Sequence, residues 1–102
     1  MPSLEALEKL LRSEPNDPFL LYGVAQEHAK LGAYATAVEF YDRCIAADPN
    51  YCYAYYHKAV ALEAASDIPA ALAAIGQGLT ASARAGDHHC AAELKALKNT
   101  MT

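Results

Sequence analysis

Asp87-His88-His89-Cys90 sets a carboxylate, two imidazoles and a thiol in four consecutive residues. Such a run could supply a thiol nucleophile with an adjacent base, or part of a metal site. On a helix, consecutive side chains point about 100° apart, so His88, His89 and Cys90 cannot converge on one ion. A metal would need His28 or His57 from another helix, and Cys44 and Cys52 stand in no metal-ligand spacing. Gly76-Gln77-Gly78 follows no strand and falls inside a helical pattern, so it is no phosphate loop. No local motif orders a Ser-His-Asp or Cys-His set. The expectation is a protein without enzyme activity, metal or cofactor, with Cys90 as its one remote catalytic candidate.

The elements that must position these residues are helices. Leu4, Leu7, Leu10 and Leu11 recur at helical spacing between a Ser3 cap and the stop at Pro15, giving a helix over residues 3–14. Asp17-Pro18 opens the next helix, and Leu21, Val24, Ala25 and His28 share its stripe up to Gly32. Tyr34 to Ala47 follows, with Ala37, Val38, Tyr41, Cys44 and Ile45 facing a partner until Pro49, and Asn50 available to cap the next helix. Tyr51 to Ala65 carries Tyr55, Ala59 and Leu62 inward. After Ser66, Asp67 and Pro69 start a helix with Ala71, Leu72, Ile75 and Leu79 on its stripe, running on to about Arg84 before Gly86. Asp87 caps a last helix striped by Cys90, Leu94, Leu97 and Met101.

These elements repeat. Leu21-x2-Val24-Ala25-x2-His28, Gly32 and Ala37-x3-Tyr41 return 34 residues later as Tyr55-x2-Lys58-Ala59-x2-Leu62, Ser66 and Ala71-x3-Ile75. Glu14-Pro15-Asn16-Asp17 likewise stands 34 residues before Asp48-Pro49-Asn50-Tyr51. The period and its pattern of large, small and proline residues resemble the tetratricopeptide repeat, or TPR. The resemblance spans nearly the whole chain and is nearest to short stand-alone bacterial TPR proteins. It implies an all-α, right-handed α-solenoid of antiparallel helix pairs in one domain over residues 1–102. Within it, residues 3–14 form a leading half-repeat, 17–50 and 51–85 two full repeats, and 87–101 a capping helix. Ser66 stands where the family favours glycine, and Gly76 and Gly78 each weaken their helix by about 1 kcal/mol relative to alanine.

The resemblance also implies a function, which is to bind a segment of another protein in a concave groove. Seven Tyr against two Phe is an unusual balance, and phase separates the tyrosines. Tyr34, Tyr41 and Tyr55 coincide with packing positions of the repeat, whereas Tyr22, Tyr53 and Tyr56 fall on the groove side. Gln26, Lys30 and His57 are expected to share that surface, along with Phe19, Val60 and Glu63. Tyr22 and Tyr56 occupy equivalent sites and should lie side by side. Aromatic rings with a polar tip suit an interface. TPR domains that hold chaperone tails clamp a terminal carboxylate with Lys, Asn and Arg. The corresponding sites here hold Tyr22, Gln26 and His57, so that clamp does not carry over. A structural homodimer through the leucine-rich first helix or the alanine-rich last one is the alternative.

Composition narrows the rest. Eight basic and twelve acidic residues give a net charge of −4, with no run of like charge, which argues against a nucleic-acid partner. No apolar run approaches the roughly 20 residues that cross a bilayer, and Glu5 and Glu8 stand where a signal peptide would be basic, so a cytoplasmic protein is expected. Three widely spaced cysteines imply a reducing compartment and no disulfide framework. The Asp-His-His-Cys run also matches the four-letter signature of protein S-palmitoyltransferases, whose cysteine works in a zinc-bound, cysteine-rich domain between membrane helices. This chain has neither setting, and a helix cap with its first turn accounts for the run.

Overall fold

The computed structural model describes residues 3–102, so Met1 and Pro2 of the acidic N-terminal stretch lie outside it. Among the described residues six helices follow in order: α1 (Leu4–Ser13), α2 (Pro18–Lys30), α3 (Tyr34–Ala47), α4 (Cys52–Ala64), α5 (Ile68–Ala85) and α6 (His88–Met101). Caps set most of the starts. Ser3 Oγ accepts from the Ala6 N–H at 3.2 Å, Asp17 from Leu20 at 3.1 Å, Asp67 from Ala70 at 3.2 Å and Asp87 from Cys90 at 3.0 Å. Asn50 does not cap α4. Its side-chain Oδ1 accepts from Arg84 Nε at 3.1 Å, and α4 begins after Tyr51 with no side-chain cap.

The stack is an all-α helical-repeat solenoid held together by small residues. Ala25 and Ala59, and likewise Ala37 and Ala71, are each fully buried at equivalent sites, which lets neighbouring helix backbones approach. Successive helices pack on one another, and α2 also touches α4 as α4 touches α6, so the first helices of the pairs stand in a row. One core joins Leu7 and Leu11 of α1 to Leu21, Val24, Tyr41 and Cys44. A second joins Cys52, Ala59, Ile75, Cys90 and Leu94.

The turns repeat as well. Gly32 (φ 78°) and Ser66 (φ 65°) are both left-handed, and each is followed by the same reversal, Ala33 N–H to His28 O at 3.0 Å and Asp67 N–H to Leu62 O at 2.8 Å. Serine therefore accepts the glycine geometry, at about 1 kcal/mol. The two helical glycines of α5 differ. A side chain at Gly76 would meet nothing within 4 Å, whereas a Cβ at Gly78 would stand 2.8 Å from Tyr55 Cβ and 2.9 Å from Leu94 Cδ1. Gly78 is the seat on which α4 and α6 close. Beyond it α5 runs on to Ala85, bringing Arg84 Nη2 to the Pro49 carbonyl at 3.1 Å, while Arg43 Nη2 holds the equivalent Pro15 carbonyl at 3.3 Å.

The expectation of no disulfide framework is overturned. Cys52 and Cys90, 38 residues apart, form a disulfide across α4 and α6. Their Cα atoms lie 6.4 Å apart, within the reach of a disulfide. Sequence spacing concealed the pair because its proximity comes from the α4–α6 packing. Cys44 remains a free, buried thiol.

Candidate partner-binding groove

Residues at i, i+4 and i+8 of α2 put Tyr22, Gln26 and Lys30 on one line, and α4 sets Tyr53, Tyr56, His57 and Val60 beside it. Tyr22 is the hub. Its ring centroid lies 5.1 Å from Tyr51, 5.7 Å from His57 and 6.1 Å from Tyr41. His57 continues to Tyr56 at 5.1 Å, and Tyr56 to Tyr53 at 6.3 Å. The six predicted groove residues therefore share one side of the stack, and their aromatic members form an unbroken chain of ring contacts. Tyr22 and Tyr56 do not pair directly as expected, because His57 stands between them and meets both. The offset comes from the α2–α4 crossing, which repeat spacing leaves open.

Toward the far end of α2 the groove opens into a cavity of about 330 Å³, with Gln26, Lys30, Tyr34, His57 and Val60 among its walls. The buried Tyr41 hydroxyl donates to the Gln26 side-chain carbonyl from beneath. Lys30 Nζ lies 2.8 Å from Glu27, so the lysine is paired within its own helix. Phe19 is 69% exposed at the start of α2, and Val60 is exposed in the cavity wall.

Burial dominates the electrostatics. It pushes the Tyr22 phenol up to about 12, with smaller contributions from Tyr51, Cys44 and Tyr53. Burial lowers His57, against the opposing pull of Glu93, so His57 is neutral at pH 7. Tyr41 is raised by burial and then by Tyr22, and the buried Cys44 thiol is pushed up to about 12 by burial and Asp48. The groove floor is thus an uncharged aromatic surface with phenol, amide and imidazole groups for hydrogen bonding.

The sign of the pH dependence follows. Tyr22 titrates near 10 when unfolded and near 12 when folded, so its contribution to stability is intact below pH 10 and is lost as pH rises from 10 to 12. Cys44 adds a loss in the same direction that begins near pH 9. The phenolate band near 295 nm should therefore rise in two phases, with the late phase coinciding with loss of helical circular dichroism. A single phase centred on pH 10 while the helices persist would contradict this.

The sequence did not point to Tyr51 and Glu93 beside this face, or to Tyr34 in the cavity wall. Tyr51 is expected from the sequence as the first residue of the second-repeat helix, but α4 starts at Cys52, and the Asp48–Asn50 reversal folds Tyr51 onto Tyr22. Glu93 acts on Tyr53 and His57 from α6, whose register is shifted by the insertion before Asp87. Tyr34 occupies a core position of the repeat, yet it is only half-buried and faces the cavity. In the Asp87–Cys90 run, Asp87 caps α6, His88 and His89 are exposed, and Cys90 is fully buried and bonded to Cys52. No free thiolate stands there to act as a nucleophile. The Asp87 carboxylate and the two sulfurs lie within 4.8 Å of one another.

The architecture defines the class, an all-α helical-repeat stack, and comparison with known proteins gives the family. The family model described as Tetratricopeptide repeat matches residues 40–73. A TPR repeat-containing protein of Pseudomonas aeruginosa is 31% identical over 91 residues, covering 89% of this chain and 87% of that protein. The chain belongs to the tetratricopeptide repeat family. Among solved structures, the TPR2B domain of yeast Sti1 in its pHsp70 complex superposes with a TM-score of 0.90 at 26% identity, covering 96% of this chain and 78% of that one. A tetratricopeptide repeat domain protein from Salinibacter ruber, solved by solution NMR, gives 0.78 at 29% identity, with coverage of 85% and 88%. The TPR fold generally mediates protein–protein interaction and is generally non-enzymatic. Among the described residues no helix is long and apolar enough to cross a membrane.

Proposed function

We propose that this protein holds a segment of a partner protein along the face formed by α2 and α4. The observation that carries the reading is the ring chain from Tyr51 through Tyr22, His57 and Tyr56 to Tyr53, which leaves its rings half-buried and open on one side. Tyr22, Tyr53 and Tyr56 are the apolar anchors, Gln26 and His57 offer hydrogen bonds, and Lys30 marks the far end. In this reading residues 17–50 and 51–85 are the two repeats of a single domain, with 3–14 leading and 87–101 capping. Similarity to the Sti1 domain in its pHsp70 complex supports peptide binding as the mode. The uncharged floor favours apolar and aromatic ligand side chains over a clamped terminal carboxylate.

A displayed peptide library panned against the protein tests this. Selected peptides should shift the NMR signals of residues 22–30 and 53–60, and Tyr56→Ala should weaken them about tenfold or more without loss of helical signal. Shifts confined to α3 and α5, or affinity indifferent to Tyr56, would remove the groove assignment. Self-association through the terminal helices finds support in Leu10, 51% exposed on α1. Concentration-dependent sedimentation abolished by Leu10→Lys would favour it.

A further inference from the structure

α6 is the most lightly held of the helices that follow α1. Only Cys90 and Leu94 of its fourteen residues are buried, and it packs on α4 and α5 alone. A helix at the end of a stack opens at low cost, because few apolar contacts must be given up. The disulfide falls at the point that controls such opening. It joins the first residue of α4 to the first turn of α6. Helix N-termini favour the thiolates that form when such a bond is cut, while the Asp87 carboxylate within 4.8 Å opposes them.

Access is also controlled. Cys90 is wholly buried and Cys52 is 4% exposed, so a reductant in solution meets the sulfurs only when α6 swings out. The third cysteine does not compete, since Cys44 lies fully buried in the other core. We propose that Cys52 and Cys90 are a reversible dithiol–disulfide couple whose oxidised form fastens α6 over α4 and α5 and whose reduced form releases it. A dithiol reductant supplies the electrons. One of its thiolates attacks Cys52 Sγ, the S–S bond breaks, and the Cys90 thiolate that leaves takes up a proton. The second reductant thiol then attacks the mixed disulfide, freeing Cys52 and closing the reductant into its own disulfide. Two electrons and two protons pass to the protein, and a low-molecular-weight disulfide reverses the exchange. Release withdraws Leu94 from its seat on Gly78 and carries Glu93 away from Tyr53 and His57.

The test compares the full-length chain after glutathione disulfide with the same chain after dithiothreitol. Maleimide labelling of the denatured protein should count one thiol in the first sample and three in the second. Amide exchange over residues 88–101 should then be about tenfold faster or more in the reduced chain, with residues 18–47 unchanged. A Cys52→Ser/Cys90→Ser variant should match the reduced protein in both buffers. If that variant fails to fold, the two forms of the natural chain carry the comparison alone. Three free thiols after glutathione disulfide, equal exchange of α6 in both forms, or uniform acceleration along the whole chain would each overturn the proposal.

Discussion

Tyr41→Ala should destabilise the protein by about 3–5 kcal/mol, the usual cost of removing a large buried aromatic side chain. Tyr41 is 1% exposed and is among the largest side chains buried completely. Its ring packs in the core shared by α1, α2, α3 and α4, 6.1 Å from the ring of Tyr22, and its hydroxyl donates to Gln26. A domain of this size has about 5–15 kcal/mol in total, so the variant would stand near the edge of folding. Tyr41→Phe keeps the volume and loses only the hydrogen bond, at about 1 kcal/mol. The half-buried Gln26 amide can turn to water, which keeps that second cost small. Urea titrations of both variants separate the contributions. Equal midpoints for Phe and Ala would mean that packing of the ring is not what Tyr41 supplies.

The second large effect concerns two glycines that lie two residues apart. Gly78→Val should cost about 1–3 kcal/mol as an overpacked site. The new Cβ would stand 2.8 Å from Tyr55 Cβ, which is fixed to the α4 backbone and moves only if the helix moves. Leu94 Cδ1, at 2.9 Å, is the end of a flexible side chain and can yield, but only by loosening α6. Gly76→Ala should act in the opposite direction, gaining up to about 1 kcal/mol of helix propensity at an exposed site with nothing within 4 Å. Thermal unfolding of the two variants should shift in opposite senses. A shared sign would refute the assignment of Gly78 as the contact point of three helices.

The same pair shows how far sequence reasoning extends. Both glycines weaken α5 by the same intrinsic amount, and only the neighbours reveal that one compensates by close approach. Ser66 is similar. Its place in the repeat marks it as a residue under strain, and the reversal around it shows that it takes the left-handed form. Helix phase alone puts Tyr22, Gln26 and Lys30 on one face of α2, and Tyr53, Tyr56 and His57 on one side of α4, so the membership of the candidate surface could be read from the chain, whereas Tyr51 and Glu93 could not.

The tetratricopeptide resemblance implied how the helices pair, while their number, order and approximate ends, and the small residues Ala25, Ala37, Ala59 and Ala71 where they touch, were legible in the chain itself. Those features rest on local signals, namely caps, prolines, left-handed turn residues and a periodic apolar stripe, which act within one or two helical turns. The packing of whole helices selects which residues from different helices meet. It placed His57 between Tyr22 and Tyr56, folded Tyr51 onto Tyr22, and brought Cys52 to Cys90. Helix phase gives a direction to within about 100°, whereas a ring contact or a disulfide needs positions to within an ångström or so. That precision comes from the crossing of whole helices, set by all their packed side chains together.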